Sequence, residues 1–124
     1  MFARVSTYEV RVERLDEMHH EGMEHVLPAL EMQDGFHGGL VLADRQSGKV
    51  LAVTLWESEQ AMDATEDASH WLRIFSAQSS GGRICSVQRY EVFFASIQEA
   101  QLSERADESR STDAKRPSGT SGIR

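Results

Sequence analysis

Residues 50–56, Val-Leu-Ala-Val-Thr-Leu-Trp, are apolar on nearly every position of both alternating sets that a β-strand presents to its two faces. Leu51, Val53 and Leu55 form one set; Val50, Ala52 and Trp56 form the other. A sheet with one solvated face shows polar residues on that side. This strand therefore calls for cover on both faces, and the rest of the chain has to supply it or recruit it.

The periodicity around this strand gives the element order. Residues 2–12 alternate with period two and carry Val5, Tyr8, Val10 and Val12, which predicts a first strand. Between residues 14 and 33 the period changes: Leu15, Met18, Gly22, Val26 and Ala29 recur at helical steps. Pro28 lacks a backbone donor, so a kink or early end is expected there. Asp34-Gly35 supplies the exit turn. Residues 36–43 and 50–56 are two strands joined by the polar, glycine-containing link 44–49, as in a hairpin. Ser58 stands at an N-cap position, followed by Ala61, Ala64, Ala68, Trp71, Leu72 and Phe75 on one helix ending at Ser79-Ser80-Gly81-Gly82. A last strand runs over residues 83–95.

This order is β-α-β-β-α-β, the split βαβ unit of an α+β, ferredoxin-like domain with a four-stranded antiparallel sheet. Two helices cover one face of such a sheet. Pairing with a second copy, sheet face against sheet face, is the simplest cover for the other, so a homodimer is expected. The domain is expected over residues 1–97. Residues 98–124 are rich in Ser, Glu, Asp, Arg and Gly and have too few large apolar residues to order themselves, so a disordered tail is expected.

Charge narrows the partners. The net charge is −7, and residues 98–124 hold five acids and five bases, so the excess lies on 1–97. An acidic surface without a Lys/Arg cluster argues against nucleic acid. No apolar run approaches the ~20 residues of a membrane span, and the alternating N-terminus is unlike a signal peptide. A cytoplasmic protein is expected. A single cysteine, Cys85, leaves no intramolecular disulfide and no multi-cysteine zinc pattern; it reads as a small buried hydrophobe.

Three segments together resemble the antibiotic biosynthesis monooxygenase-like family of dimeric α+β barrel proteins. They are Leu27-Pro28-Ala29-Leu30 through Gly35-Phe36-His37-Gly38, then Ser47-Gly48-Lys49 through Trp56-Glu57-Ser58-Glu59, and finally Ser86-Val87-Gln88-Arg89-Tyr90-Glu91-Val92. The resemblance implies a dimeric α+β barrel and a flat, apolar, aromatic ligand. It admits cofactor-free oxygenation of phenols, haem degradation, or no catalysis. Members that activate oxygen or haem use an asparagine on the first strand, but this sequence has no asparagine, and Ser6 and Thr7 occupy that region. The positions of the haem-degraders' tryptophan and histidine hold Ala64 and Ile74.

The first functional expectation is a cofactor-free monooxygenase-like protein holding a phenol or quinol in a helix–sheet pocket. Its alternative is a non-catalytic dimeric binding or stress-associated protein. His70 and Tyr90 are the candidate catalytic groups, the first as a base and the second as a phenol-anchoring hydroxyl. Trp71, His37, Trp56 and Arg89 are the candidate lining residues, with core packing as the plainer role for both tryptophans. His20 and Glu24 share a helix face in a near miss of HExxH, but Glu24 stands where the second histidine belongs. Solvated His20–Glu24 and Glu21–His25 pairs explain the same letters, so no metal is assigned.

Overall fold

A computed structural model describes residues 1–96 and Gln98. The compact unit Met1–Phe93 contains every helix and strand among them. From Phe94, where a second unit begins, the described residues 94–96 and 98 have no regular secondary structure. The expected tail falls almost wholly outside the described residues.

Four strands, β1 (Phe2–Glu9), β2 (Phe36–Ala43), β3 (Lys49–Trp56) and β4 (Arg83–Glu91), form one antiparallel sheet in the order β2-β3-β1-β4. The crossover from β1 to β2 carries a 3-10 turn (Val12–Arg14), α1 (Leu15–Glu21), a π-helical turn (Gly22–Val26) and α2 (Leu27–Glu31). The crossover from β3 to β4 carries α3 (Glu59–Ala64) and α4 (Glu66–Ser79). This is the expected α+β, ferredoxin-like architecture. No helix among the described residues is long and apolar enough to cross a membrane.

The boundaries depart from the sequence reading for identifiable reasons. β1 ends at Glu9, short of the expected Val12, although Val10 still holds the register by donating to the Gly48 carbonyl at 2.8 Å. The break expected near Pro28 takes the form of a widened turn. Pro28, in the first turn of α2, has no N–H to continue the ladder, and the five residues before Leu27 spread into π geometry. The single helix expected after Ser58 is split at Thr65, whose hydroxyl donates to the carbonyls of Ala61 and Met62 in competition with the backbone. β4 ends at Glu91, four residues short of the expected Ala95.

Local signals elsewhere work as written. Ser58 Oγ accepts the Ala61 N–H at 3.0 Å and caps α3. Gly48, at φ +83°, closes the hairpin where any Cβ would run into the Val10 carbonyl.

One core lies between the sheet and the helices. Tyr8, Val10, Leu15, Val50 and Ala77 pack together, with Met18, Ala52 and Ile84 against them. The register assigns each strand's residues to a face. Phe2, Arg4, Ser6 and Tyr8 share the helix side with Val50, Ala52, Thr54 and Trp56. Ala3, Val5 and Thr7 share the opposite side with Leu51, Val53 and Leu55, and Leu40 and Leu42 extend it on β2.

Two bulges modify this alternation. Between Thr7 and Tyr8 the partner on β4 moves from Ser86 to Ile84, leaving Cys85 unpaired. Ile84 thereby takes the inward place, and Cys85 is exposed, a correction to its reading as a buried residue. His37 is likewise left between Phe36, opposite Trp56, and Gly38, opposite Leu55.

Candidate functional site

The helix side of β1 holds a charge cluster where an apolar layer is the norm. Arg4 is 2% exposed. Its Nη1 donates to Ser69 Oγ at 2.9 Å, and its Nη2 donates to the Met62 carbonyl at 2.8 Å. The same Nη2 lies 2.9 Å from Glu66 Oε1, and the guanidinium stands 5.4 Å from the centre of the Trp56 ring.

Arg73, two turns after Glu66 on α4, is 7% exposed and donates from Nη2 to Glu66 Oε2 at 2.6 Å. One carboxylate thus bridges two buried guanidiniums, each taking one oxygen. Arg89, opposite Arg4 in the register, donates to Asp63. Burial holds the Arg4 pKa below the ordinary arginine value, and Glu66 opposes that shift. Among the described residues, Arg4 Nε and Arg73 Nη1 are buried without a hydrogen-bond partner.

The residues singled out from sequence are dispersed. Trp56 is 0% exposed, meets Phe36 edge-on at 5.5 Å, and donates from Nε1 to Thr54 Oγ1 at 2.9 Å. His70 and Trp71 lie side by side on the outer surface of α4, their rings 5.7 Å apart, with Trp71 67% exposed. His37 is exposed at its bulge. Tyr90 lies on the sheet face away from the helices and donates to Gln88 Oε1 at 3.0 Å.

Arg89 and Tyr90 do meet, in a shallow cleft of about 150 Å³ shared with Phe2, Glu59, Met62 and Glu91. His70 and Tyr90 stand on opposite sides of the sheet. A wider cleft of about 470 Å³ opens at the other end, by Glu9, Ser47 and Gly81. His25 pairs with Glu21 at 3.5 Å, as the spacing suggested. Among the described residues, no three His, Cys, Asp or Glu side chains gather as a metal site requires.

Arg4, Glu66 and Arg73 escaped the sequence reading. The available signal was an arginine in phase with Tyr8 on the first strand, and an acid–base pair seven apart on an amphipathic helix.

No family model matches the chain. Among sequence relatives, the uncharacterized protein Rv2557 of Mycobacterium tuberculosis is 33% identical over 96 residues, covering 74% of this chain and 41% of the relative. Rv2558 of the same organism is 38% identical over 69 residues, covering 52% and 28%. The chain thus spans about two fifths of the length of the first and under a third of the second.

Among solved structures, a monooxygenase from the gene ActVA-Orf6 of Streptomyces coelicolor, in complex with Nanaomycin D, matches with TM-score 0.61 at 19% identity. That match covers 78% of this chain and 91% of the other. The heme-degrader MhuD of M. tuberculosis, with two hemes bound in its active site, matches with TM-score 0.57 at 22% identity over 78% and 100%. A Deinococcus radiodurans structure grouped with the antibiotic biosynthesis monooxygenases matches with TM-score 0.60 at 20% identity over 79% and 98%. At these identities the likeness is one of fold: the chain has the α+β, ferredoxin-like fold shared by the antibiotic biosynthesis monooxygenase structures.

Proposed function

We propose that this chain works in the cytoplasm as a homodimer, sheet face against sheet face, and binds a flat, apolar small molecule of phenol or quinol type without transforming it. The observation that carries this reading is how the two sides of the sheet are filled. Val5, Leu51, Val53 and Leu55, flanked by the exposed Leu40 and Leu42, form a continuous apolar surface with no helix among the described residues over it. Such a surface is characteristic of an interface between copies. The helix side near β1, where an oxygenase pocket was expected, is occupied by Arg4, Met62, Ser69 and Arg73. The ligand class takes its support from the fold shared with the Nanaomycin D complex.

Cofactor-free oxygenation is the second reading, favoured by that same likeness to a monooxygenase. A quinol acidic enough to form its own carbanion reacts directly with dioxygen, leaving the protein to orient it and exclude water. Arg89 and Tyr90, which share a cleft, are the groups to hold the ligand's hydroxyl. His70 as a base, with Trp71, Trp56 and His37 as lining, would act only in a site enlarged beyond one chain, because the sheet separates His70 from Tyr90.

Native mass spectrometry of the purified protein tests the main reading. A dimer carrying an added small-molecule mass is the expected result, and a monomer would overturn it. An oxygen electrode then separates the two readings: uptake dependent on a polycyclic quinol and lost in Tyr90→Phe would replace binding by oxygenation.

A further inference from the structure

We propose that the buried pair Arg4 and Arg73 is a binding site for a small organic carboxylate, with the Glu66 side chain acting as a displaceable internal substitute. This site is separate from the one proposed for the flat apolar ligand.

Three observations combine. First, both guanidiniums are more than nine-tenths buried and both keep a buried N–H with no acceptor among the described residues, Nε on Arg4 and Nη1 on Arg73. Groups of this kind are costly to leave unpaired, and such positions call for an explanation. Second, the group now bridging them is a planar carboxylate with one oxygen to each arginine, at 2.9 and 2.6 Å. The site is thus already shaped for a carboxylate. Third, the Glu66 side chain is 48% exposed whereas its partners are 3% and 8% exposed. The bridging side chain is therefore the member of the cluster with access to solvent, which the two cations lack.

Glu66 is also free to leave. It is the first residue of α4, whose N-cap Thr65 makes no capping side-chain bond. A carboxylate swung into water there stays near the positive end of the helix dipole. The neighbouring charges are mixed. Arg89 lies beside Arg4 and is paired with Asp63, and Glu59 and Glu91 border the adjoining cleft. Those acids disfavour highly charged anions, so a monocarboxylate fits better than a phosphate.

The test uses the full chain carrying Trp71→Phe, which leaves Trp56, beside Arg4, as the sole tryptophan. Sodium butyrate is titrated at constant ionic strength while Trp56 fluorescence is followed. Saturable binding is expected, with Kd at least tenfold lower in Glu66→Gln, where the internal competitor is gone. Butyrate should also raise the Tm of Glu66→Gln more than that of the parent. Should Glu66→Gln fail to fold, Glu66→Asp, too short to span both arginines, serves in its place with the same expectation. No saturable change in either protein, or the same Kd with and without Glu66, would overturn the proposal. Equal or tighter binding of inorganic phosphate would overturn its specificity for carboxylates.

Discussion

The two faces of the sheet differ in how polar groups are placed: the covered face buries charge among its apolar residues, and the open face is apolar at its centre. The face beneath the helices sets Arg4, Ser6, Thr54 and Arg89 among Phe2, Tyr8, Val50, Ala52 and Trp56, whereas the other face carries Ala3, Val5, Leu51, Val53 and Leu55 at its centre, with Thr7, Gln88 and Tyr90 beside them. Hydrophobic burial is non-directional and scales with area, so an apolar face can be covered by whatever apolar surface arrives, including a second copy. A buried charge is directional and tolerates few partners. Here those partners, Met62, Glu66, Ser69 and Arg73, all come from the α3–α4 crossover of the same chain. The covered face is therefore specified by the chain itself, and the open face is the one the proposed homodimer would cover.

The largest expected effect comes from placing a charge at the centre of the open face. Val53→Asp should convert the proposed dimer to monomer at all accessible concentrations, as read by analytical ultracentrifugation, while leaving the far-ultraviolet circular dichroism of the fold unchanged. A variant that stays dimeric would show that the open face is not the interface.

Trp56→Ala acts on the opposite face, removing a fully buried ring in contact with Phe36 and Arg4. It should cost about 4 kcal/mol in urea unfolding. A loss under about 1 kcal/mol would mean that the helix side is loosely packed and that the contrast between the faces is overstated.

Arg4→Met comes next, at about 3 kcal/mol, because Ser69 Oγ and the Met62 carbonyl lose a buried charged donor and the ion cluster around Arg73 is broken. Adding Glu66→Leu and Arg73→Met should recover much of that loss, since replacing a whole buried ion cluster by apolar groups is often close to neutral. No recovery in the triple variant would assign the cost to packing alone.

The smallest effect is alkaline. Burial, opposed by Arg73 and by the Ser76 and Ser6 hydroxyls, raises the Tyr8 pKa above its ordinary value of 10.0. The folded state therefore keeps the Tyr8 proton where the unfolded state loses it. Stability from this group is complete below about pH 10 and declines as pH rises toward the folded pKa. Tm measured between pH 9 and 11 should fall less steeply in Tyr8→Phe than in the parent. Parallel slopes would remove Tyr8 from the account.

Much of the fold was legible because its signals are local or periodic. Ser58 caps α3 through a hydroxyl oxygen that accepts from the Ala61 N–H three residues on, and Gly48 turns the hairpin through its own backbone. The site was far less legible. Arg4 lies 65 residues from Ser69 and 58 from Met62, so nothing near it in sequence marks it as buried. Cys85 shows the same limit: its residue type suggested burial, and only the bulge opposite Thr7 and Tyr8 leaves it unpaired and exposed.

The sequence by itself determined the order of strands and helices and the apolar character of both faces of β3, since hydrophobic period and turn chemistry act over a few residues. The tertiary structure alone decided the bulges at His37 and Cys85 and the bridging of Arg4 and Arg73 by Glu66. Those features arise where distant segments meet, and a buried guanidinium takes its partners from whichever backbone and carboxylate the fold brings within hydrogen-bond reach.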